Sequence, residues 1–162
     1  MLDHVYGELA LPGDVAGWRA VMRAVALRKR AMMLKHPWMV RTPVLTLTPH
    51  QLAVPEQVLA ALDGLGMDED TKMAVFRTVT AYVDGAVAAE IDLSRLMRDR
   101  GWSDTHETRV GLAPQMTWLM NTGRYPAYQG YLRAATRKDD PRWEFETGLD
   151  CVLDGIAARM GI

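Results

Sequence analysis

Cysteine is nearly absent from this chain: Cys151 is the single one in 162 residues. An internal disulfide framework is therefore excluded, and a lone thiol suits a reducing, cytoplasmic setting. Serine is just as scarce. Ser94 and Ser103 are the only two, and neither lies in a Gly-x-Ser-x-Gly turn, so the strained nucleophile elbow of the hydrolases is missing. Cys151 falls inside a helical stretch, where packing is a more natural role than nucleophilic attack. Charge of one sign is not in excess: the net charge is −1, without the electrostatic footprint of a nucleic-acid binder. The four histidines, His4, His36, His50 and His106, include no pair at i, i+3 or i+4, so no metal site and no cofactor are expected. No apolar run approaches the ~18 residues of a membrane span. Met1-Leu2-Asp3-His4 does not open like a signal peptide. Together these absences speak against an enzyme and against a membrane protein.

What is present is ordinary in bulk and unusual in detail. Hydrophobic residues make up 49% and charged residues 24%, the balance of a globular chain. At this length one domain is expected, burying roughly 70% of its unfolded surface. Eleven methionines and five tryptophans stand against two phenylalanines.

Proline and glycine divide the chain into helices, with almost no strand signal. Residues 2–9 form a short helical piece ending at Leu11-Pro12-Gly13. Asp14 can cap a helix over 15–36, which Pro37 ends and whose basic C-terminal residues suit the helix dipole. Its Arg28 to Lys35 stretch is read as a solvated face. Residues 39–53 are irregular, and Val44 to Thr48, strand-like but without a partner strand, are taken as a loop or short helix. Pro55 opens a helix to Leu65, closed by Gly64 and Gly66. Asp68, Glu69 and Asp70 begin a long helix to about Arg100, with Gly85 in its middle and Met73, Phe76, Val79 or Thr80, Val83, Val87 and Ile91 in helical period. Asp104 with Glu107 has the spacing of a capping box, opening a helix that Pro114 should kink. A short helix follows Pro126, and Asp140-Pro141 starts a last one to about Met160. The sum is an all-α bundle of seven to nine helices.

The last helix carries the most telling pattern. Phe145, Leu149, Val152, Ile156 and Met160 form one apolar stripe, with Gly148 and Gly155 a heptad apart. A glycine inside a helix costs about 1 kcal/mol against alanine, so something should pack close to this backbone, a second copy of the chain being one such neighbour. Asp150 and Asp154, four apart on one face, suit pairing with arginines or capping the interface.

Four segments in order carry a resemblance: His36-Pro37-Trp38, Leu59-x-x-Leu62-x-x-Leu65-Gly66-Met67, Tyr82-Val83-x-Gly85, and Phe145-x-x-Gly148-Leu149-Asp150-x-x-Leu153-Asp154-Gly155-Ile156. In this order and spacing the chain resembles the C-terminal domain of bacterial tetracycline-repressor (TetR) family transcription regulators, over nearly its whole length. The resemblance implies a cytoplasmic repressor module that binds a hydrophobic small-molecule effector between its central helices. It also implies a homodimer built as a four-helix bundle from residues 68–100 and 141–160 of each copy. The dimer residues would be Val83, Val87, Phe145, Gly148, Leu149, Val152, Gly155 and Ile156. The family carries a helix-turn-helix domain ahead of this region, and nothing in these 162 residues matches one. The chain alone is therefore expected not to touch DNA. The first helix would be the transmitter and Pro12-Gly13 the flexible point behind it.

For the effector wall, residues that are soft or can stack are the candidates: Met22, Met33, Trp38, Met39, Phe76, Thr80, Met116, Trp118 and Met120. Taken singly each of them reads more readily as core, and it is the abundance of methionine in the set that favours a plastic hydrophobic pocket. Asp84, a polar residue midway along the long helix, suits orienting a ligand or bridging a dimer. Nothing supports carrying over the tetracycline–magnesium site. A headless relative that binds a hydrophobic small molecule or a partner protein is the alternative to a regulator's sensing domain, and a ligand-modifying enzyme is the third.

Overall fold

Proline at helix starts and left-handed glycine at helix ends set the boundaries of this chain. The computed structural model describes residues 2–9, 11, 15–41 and 48–162. Among them it forms seven α-helices and no strand: α1 (Leu2–Tyr6), α2 (Trp18–Lys35), α3 (Pro49–Leu62), α4 (Glu69–Asp99), α5 (Thr105–Asn121), α6 (Pro126–Ala134) and α7 (Pro141–Met160). Single 3-10 turns, Gly7–Leu9 and Pro37–Arg41, follow α1 and α2. The all-α expectation holds. The Asp14 cap, the Pro12-Gly13 hinge and residues 44–47 of the strand-like stretch lie outside the described residues.

Several boundaries differ from expectation: α2 opens at Trp18 behind Gly17 rather than at residue 15, and α3 closes at Leu62 rather than Leu65. The third helix opens at Pro49, not Pro55, because Thr48 and Gln51 form a capping box around a proline at the first helical position. The Thr48 backbone N–H donates to the Gln51 Oε1 at 2.8 Å. Pro55 then lies inside the helix. Gly64 and Gly66, at φ 76° and 77°, turn the chain into α4. At α5, Asp104 Oδ1 accepts from the Glu107 N–H at 2.8 Å, while Glu107 Oε2 accepts from the Ser103 N–H at 2.6 Å. At α7, Asp140 Oδ1 accepts from the Trp143 N–H at 2.9 Å.

The chain divides into two compact units, residues 1–89 with 146–162 and residues 90–145. The first holds a true hydrophobic core. Val21, Met22, Val25 and Ala26 of α2 are buried, as are Val54, Val58 and Leu62 of α3. On α4 the buried face is Val75, Val79, Val83 and Val87, rather than the Met73 and Phe76 face. A stripe repeating every four residues drifts around the helix by about 40° per step, so each turn faces a slightly different neighbour. On α7 Leu149, Leu153 and Ile156 are buried. The Asp150 and Asp154 carboxylates pair with α2 as their spacing suggested. Arg19 reaches Asp154 at 2.5 Å, Arg23 reaches Glu146 at 3.1 Å, and Arg23 also bonds Asp150.

The second unit is held differently. α5 buries only Thr108 among its described residues, and α6 buries none. Ring and charge contacts supplement the few buried apolar side chains, Ile91 and Phe145. Arg100 lies 5.6 Å from the centre of the Trp102 ring, Arg137 lies 5.3 Å from that of Trp143, and Arg109 pairs with Asp139 at 2.8 Å. Gly111 leaves room for the Trp102 indole, which a Cβ there would strike.

Candidate functional site

The first unit contains a cavity of about 320 Å³, lined by Tyr6, Lys29, Met32, Met33, Met39, Val40, Asp84 and Ala88. That volume is at the small end of ligand pockets. Four elements build it. Lys29, Met32 and Met33 stand at i, i+3 and i+4 of α2, hence on one face. Asp84 and Ala88 stand one turn apart on α4. Met39 and Val40 come from the 3-10 turn that Pro37 begins, and Tyr6 comes from the last turn of α1.

One charged pair stands in this wall beside Tyr6, the methionines and small aliphatic side chains, and the lining is at least as polar as it is apolar. Lys29 Nζ lies 2.6 Å from Asp84 Oδ1, with the lysine side chain 18% exposed and the aspartate 52%. Lys29 is thus no part of a solvated face, which corrects that reading of the 28–35 stretch. The helix period carries it inward beside Met32 and Met33, and Asp84 supplies the counter-charge that makes its burial tolerable.

The N-terminal segment that carries Tyr6 is fastened at two points, Glu8 and Asp3. Glu8 Oε1 accepts from Lys35 Nζ at 2.9 Å and meets His36 Nε2 at 3.1 Å. The Lys35 hydrogen bond, then the His36 one, hold the Glu8 carboxyl below its ordinary value. Asp3 Oδ2 lies 2.8 Å from His50 Nδ1, and Asp3 Oδ1 accepts from the His50 N–H at 3.1 Å. Hydrogen bonds from Thr48 and His50 lower the Asp3 carboxyl to about 2.

Of the nine residues expected to line an effector site, Met33 and Met39 line this cavity. Met22 is fully buried core instead. Trp38 is largely exposed and stands edge-on to His36, with ring centres 6.3 Å apart. Phe76 and Thr80 are half-buried on α4 outside the lining, and the Thr80 hydroxyl donates to the Phe76 carbonyl at 3.1 Å. Met116, Trp118 and Met120 belong to α5 in the second unit and are not part of this lining, Trp118 being 68% exposed. Sequence reasoning missed Tyr6, Lys29, Met32, Val40 and Ala88. A lysine three and four residues before two core methionines was the available signal for Lys29.

The expected dimer residues are distributed unevenly. Val83, Val87, Phe145, Leu149 and Ile156 are already buried within the single chain, which leaves them almost no surface for a partner. Gly148 meets its close neighbour inside the chain as well, since a Cβ there would fall on the Tyr82 hydroxyl. Val152 is half-buried, and Gly155 is exposed with nothing within 4 Å of a Cβ. Cys151, expected on or near the interface stripe, is exposed in the single chain.

The first unit thus places a small cavity between helices, with polar and apolar groups both exposed in its wall, a common setting for ligand sites in all-α domains. The family is recognisable from the chain as a whole. Residues 11–160 match the family model described as tetracyclin repressor-like, C-terminal domain, and the chain belongs to that family. It is 26% identical over 162 residues to the HTH-type transcriptional repressor DrrR1 of Streptomyces coeruleorubidus, covering 96% of this chain and 58% of that protein. It is 32% identical over 167 residues to an HTH-type transcriptional regulator of Saccharopolyspora erythraea, covering 99% of this chain and 65% of the relative. The chain thus spans about six-tenths of the length of these curated relatives. No helix among the described residues is long and apolar enough to cross a membrane.

Proposed function

We propose that this chain is the effector-binding and dimerisation domain of a cytoplasmic TetR-type transcriptional regulator, operator contact falling to helix-turn-helix segments rather than to these residues. The family match from 11 to 160 runs through both units and supports treating them as one functional domain. The cavity's place against α1 is the observation that carries the reading. A small hydrophobic molecule held by Met32, Met33 and Met39 would touch Tyr6 directly, and Tyr6 sits on the helix nearest the chain's start. Occupancy would then bias the position of α1, which is the differential contact that allosteric coupling needs. Methionine walls adapt to varied shapes and suit such a site.

The neutral fluorophore N-phenylnaphthylamine tests the cavity. Saturable binding at one molecule per chain is the expected result, abolished by Met39→Trp, which fills the space. Undiminished binding in that variant would overturn the site.

Two copies pair, on this reading, through faces of α4 and α7 turned away from the chain's own core. Gly85 and Gly155 support it, because both are exposed helix-interior glycines with no neighbour of their own chain within 4 Å of a Cβ. Each costs about 1 kcal/mol that the isolated chain does not recover. Val152 flanks this face, and the buried residues of the expected set support it from behind. Sedimentation velocity of Gly155→Leu should show a shift from dimer to monomer. A dimer that persists unweakened would remove this face from the proposal.

A further inference from the structure

We propose that the cavity selects ligands that are electrically neutral and carry a hydrogen-bond acceptor next to a donor, as an α-hydroxy ketone does, on an apolar body. The inference rests on the effector-site reading above and adds to it the chemistry of the effector. Its basis is the Lys29–Asp84 pair on a wall made otherwise of Tyr6, methionines and small aliphatic side chains.

The two charges already neutralise each other at 2.6 Å. An anionic ligand drawn to Lys29 would place two negative charges around one ammonium. A cationic ligand drawn to Asp84 would place two positive charges around one carboxylate. Either adds an uncompensated charge to a site that is partly withdrawn from water, where such charges are costly. The lysine side chain, at 18% exposure, has little water with which to re-solvate if its partner is taken. A neutral ligand avoids this. An ammonium has three donors, and Asp84 Oδ1 takes one of them. A carboxylate accepts at about four lone-pair positions. A ligand carbonyl can therefore accept from Lys29 while an adjacent hydroxyl donates to Asp84, with the ion pair left intact. Hydrogen bonds to charged groups are the stronger kind, so this edge should be read against plain hydrocarbon as well as against charge. The two side chains come from facing helices, α2 and α4, so such a ligand would bridge them.

The experiment uses four probes on the full chain at neutral pH, each a naphthalene body bearing a hydroxyacetyl, an ethyl, a carboxylate or an aminomethyl group. Calorimetry should rank the hydroxyacetyl compound tightest, by about tenfold over each of the others. Asp84→Asn leaves Lys29 unbalanced and should move the preference towards the carboxylate. Lys29→Met leaves Asp84 unbalanced and should move it towards the amine. A charged probe that binds wild type as tightly as the hydroxy ketone overturns the inference, as does an ethyl compound that matches it, and in both cases the effector site itself stands. Binding of none of the four removes the effector site and the inference together. The wild-type ranking decides the matter even where a variant fails to fold.

Discussion

Gly148 is the clearest case of a residue whose identity is set by one neighbour. Seen in the sequence, a glycine inside a helix asks for a close partner without saying where it comes from. In the structure the partner is the Tyr82 hydroxyl on α4 of the same chain. Gly148→Ala should therefore destabilise the wild-type chain by about 1–3 kcal/mol, the range for overpacking. With Tyr82→Leu the obstruction is gone, and the same substitution should be neutral or stabilising by up to about 1 kcal/mol, the ordinary gain of alanine in a helix. A double-mutant cycle by chemical denaturation measures the difference. Equal effects in the two backgrounds would show that Tyr82 does not select the glycine. Lys29 teaches the converse lesson. Its charge suggests solvent, and its helical register puts it in the cavity wall.

At the scale of elements, local chemistry decides where helices start. Asp104, Thr48 and Asp140 each stand just before a helix, and the bonds that Asp104 and Asp140 accept at 2.8 Å and 2.9 Å satisfy backbone donors left over in the first turn. α5 depends on its cap more than the others, because it buries so little of its own surface. Asp104→Ala should cost about 1 kcal/mol, and hydrogen exchange should accelerate in the first turn of α5 while α2 stays protected. Uniform acceleration in both helices would contradict this local reading. Pro49 and Pro55 make the same point about legibility. Both are prolines before an apolar run, and the Thr48-x-x-Gln51 box was the signal that distinguishes the first as the helix start.

At the scale of the molecule, three carboxylates, Asp3, Glu8 and Asp68, are shifted in the same direction. Asp3 is lowered to about 2 by Thr48 and His50, Glu8 is lowered by Lys35 and His36, and Asp68 is lowered by the Thr71 backbone N–H and then its hydroxyl. A group whose pKa is lower in the folded state holds fewer protons there. Its contribution is complete above the ordinary carboxylate value and is lost as pH falls through the folded one. For Asp3 that window runs from 3.8 down to about 2. Lys72 is raised above 10.5 by Asp63 and then Glu69, so its contribution is complete below that value and fades as pH rises past it. Melting temperature should therefore be flat through the neutral range and fall at both extremes. The pair Asp3→Asn with Glu8→Gln should flatten the acid limb; an acid limb unchanged in that variant would place the sensitivity elsewhere.

The helical class, the family resemblance and most helix boundaries were legible in the sequence, because caps, prolines and apolar periods act within a few residues of one another. Met33 and Met39 were legible as candidates by side-chain type alone. Which face of α4 and α7 turns inward was not, since a stripe of valines and a stripe with methionine and phenylalanine are both helical, and only packing against the rest of the fold separates them. The Lys29–Asp84 pair joins residues 55 positions apart, and no local rule relates them. Tertiary structure chose that pair, the partner of Gly148 and the extent of the cavity, because each depends on the distance between elements that the chain places far apart in sequence.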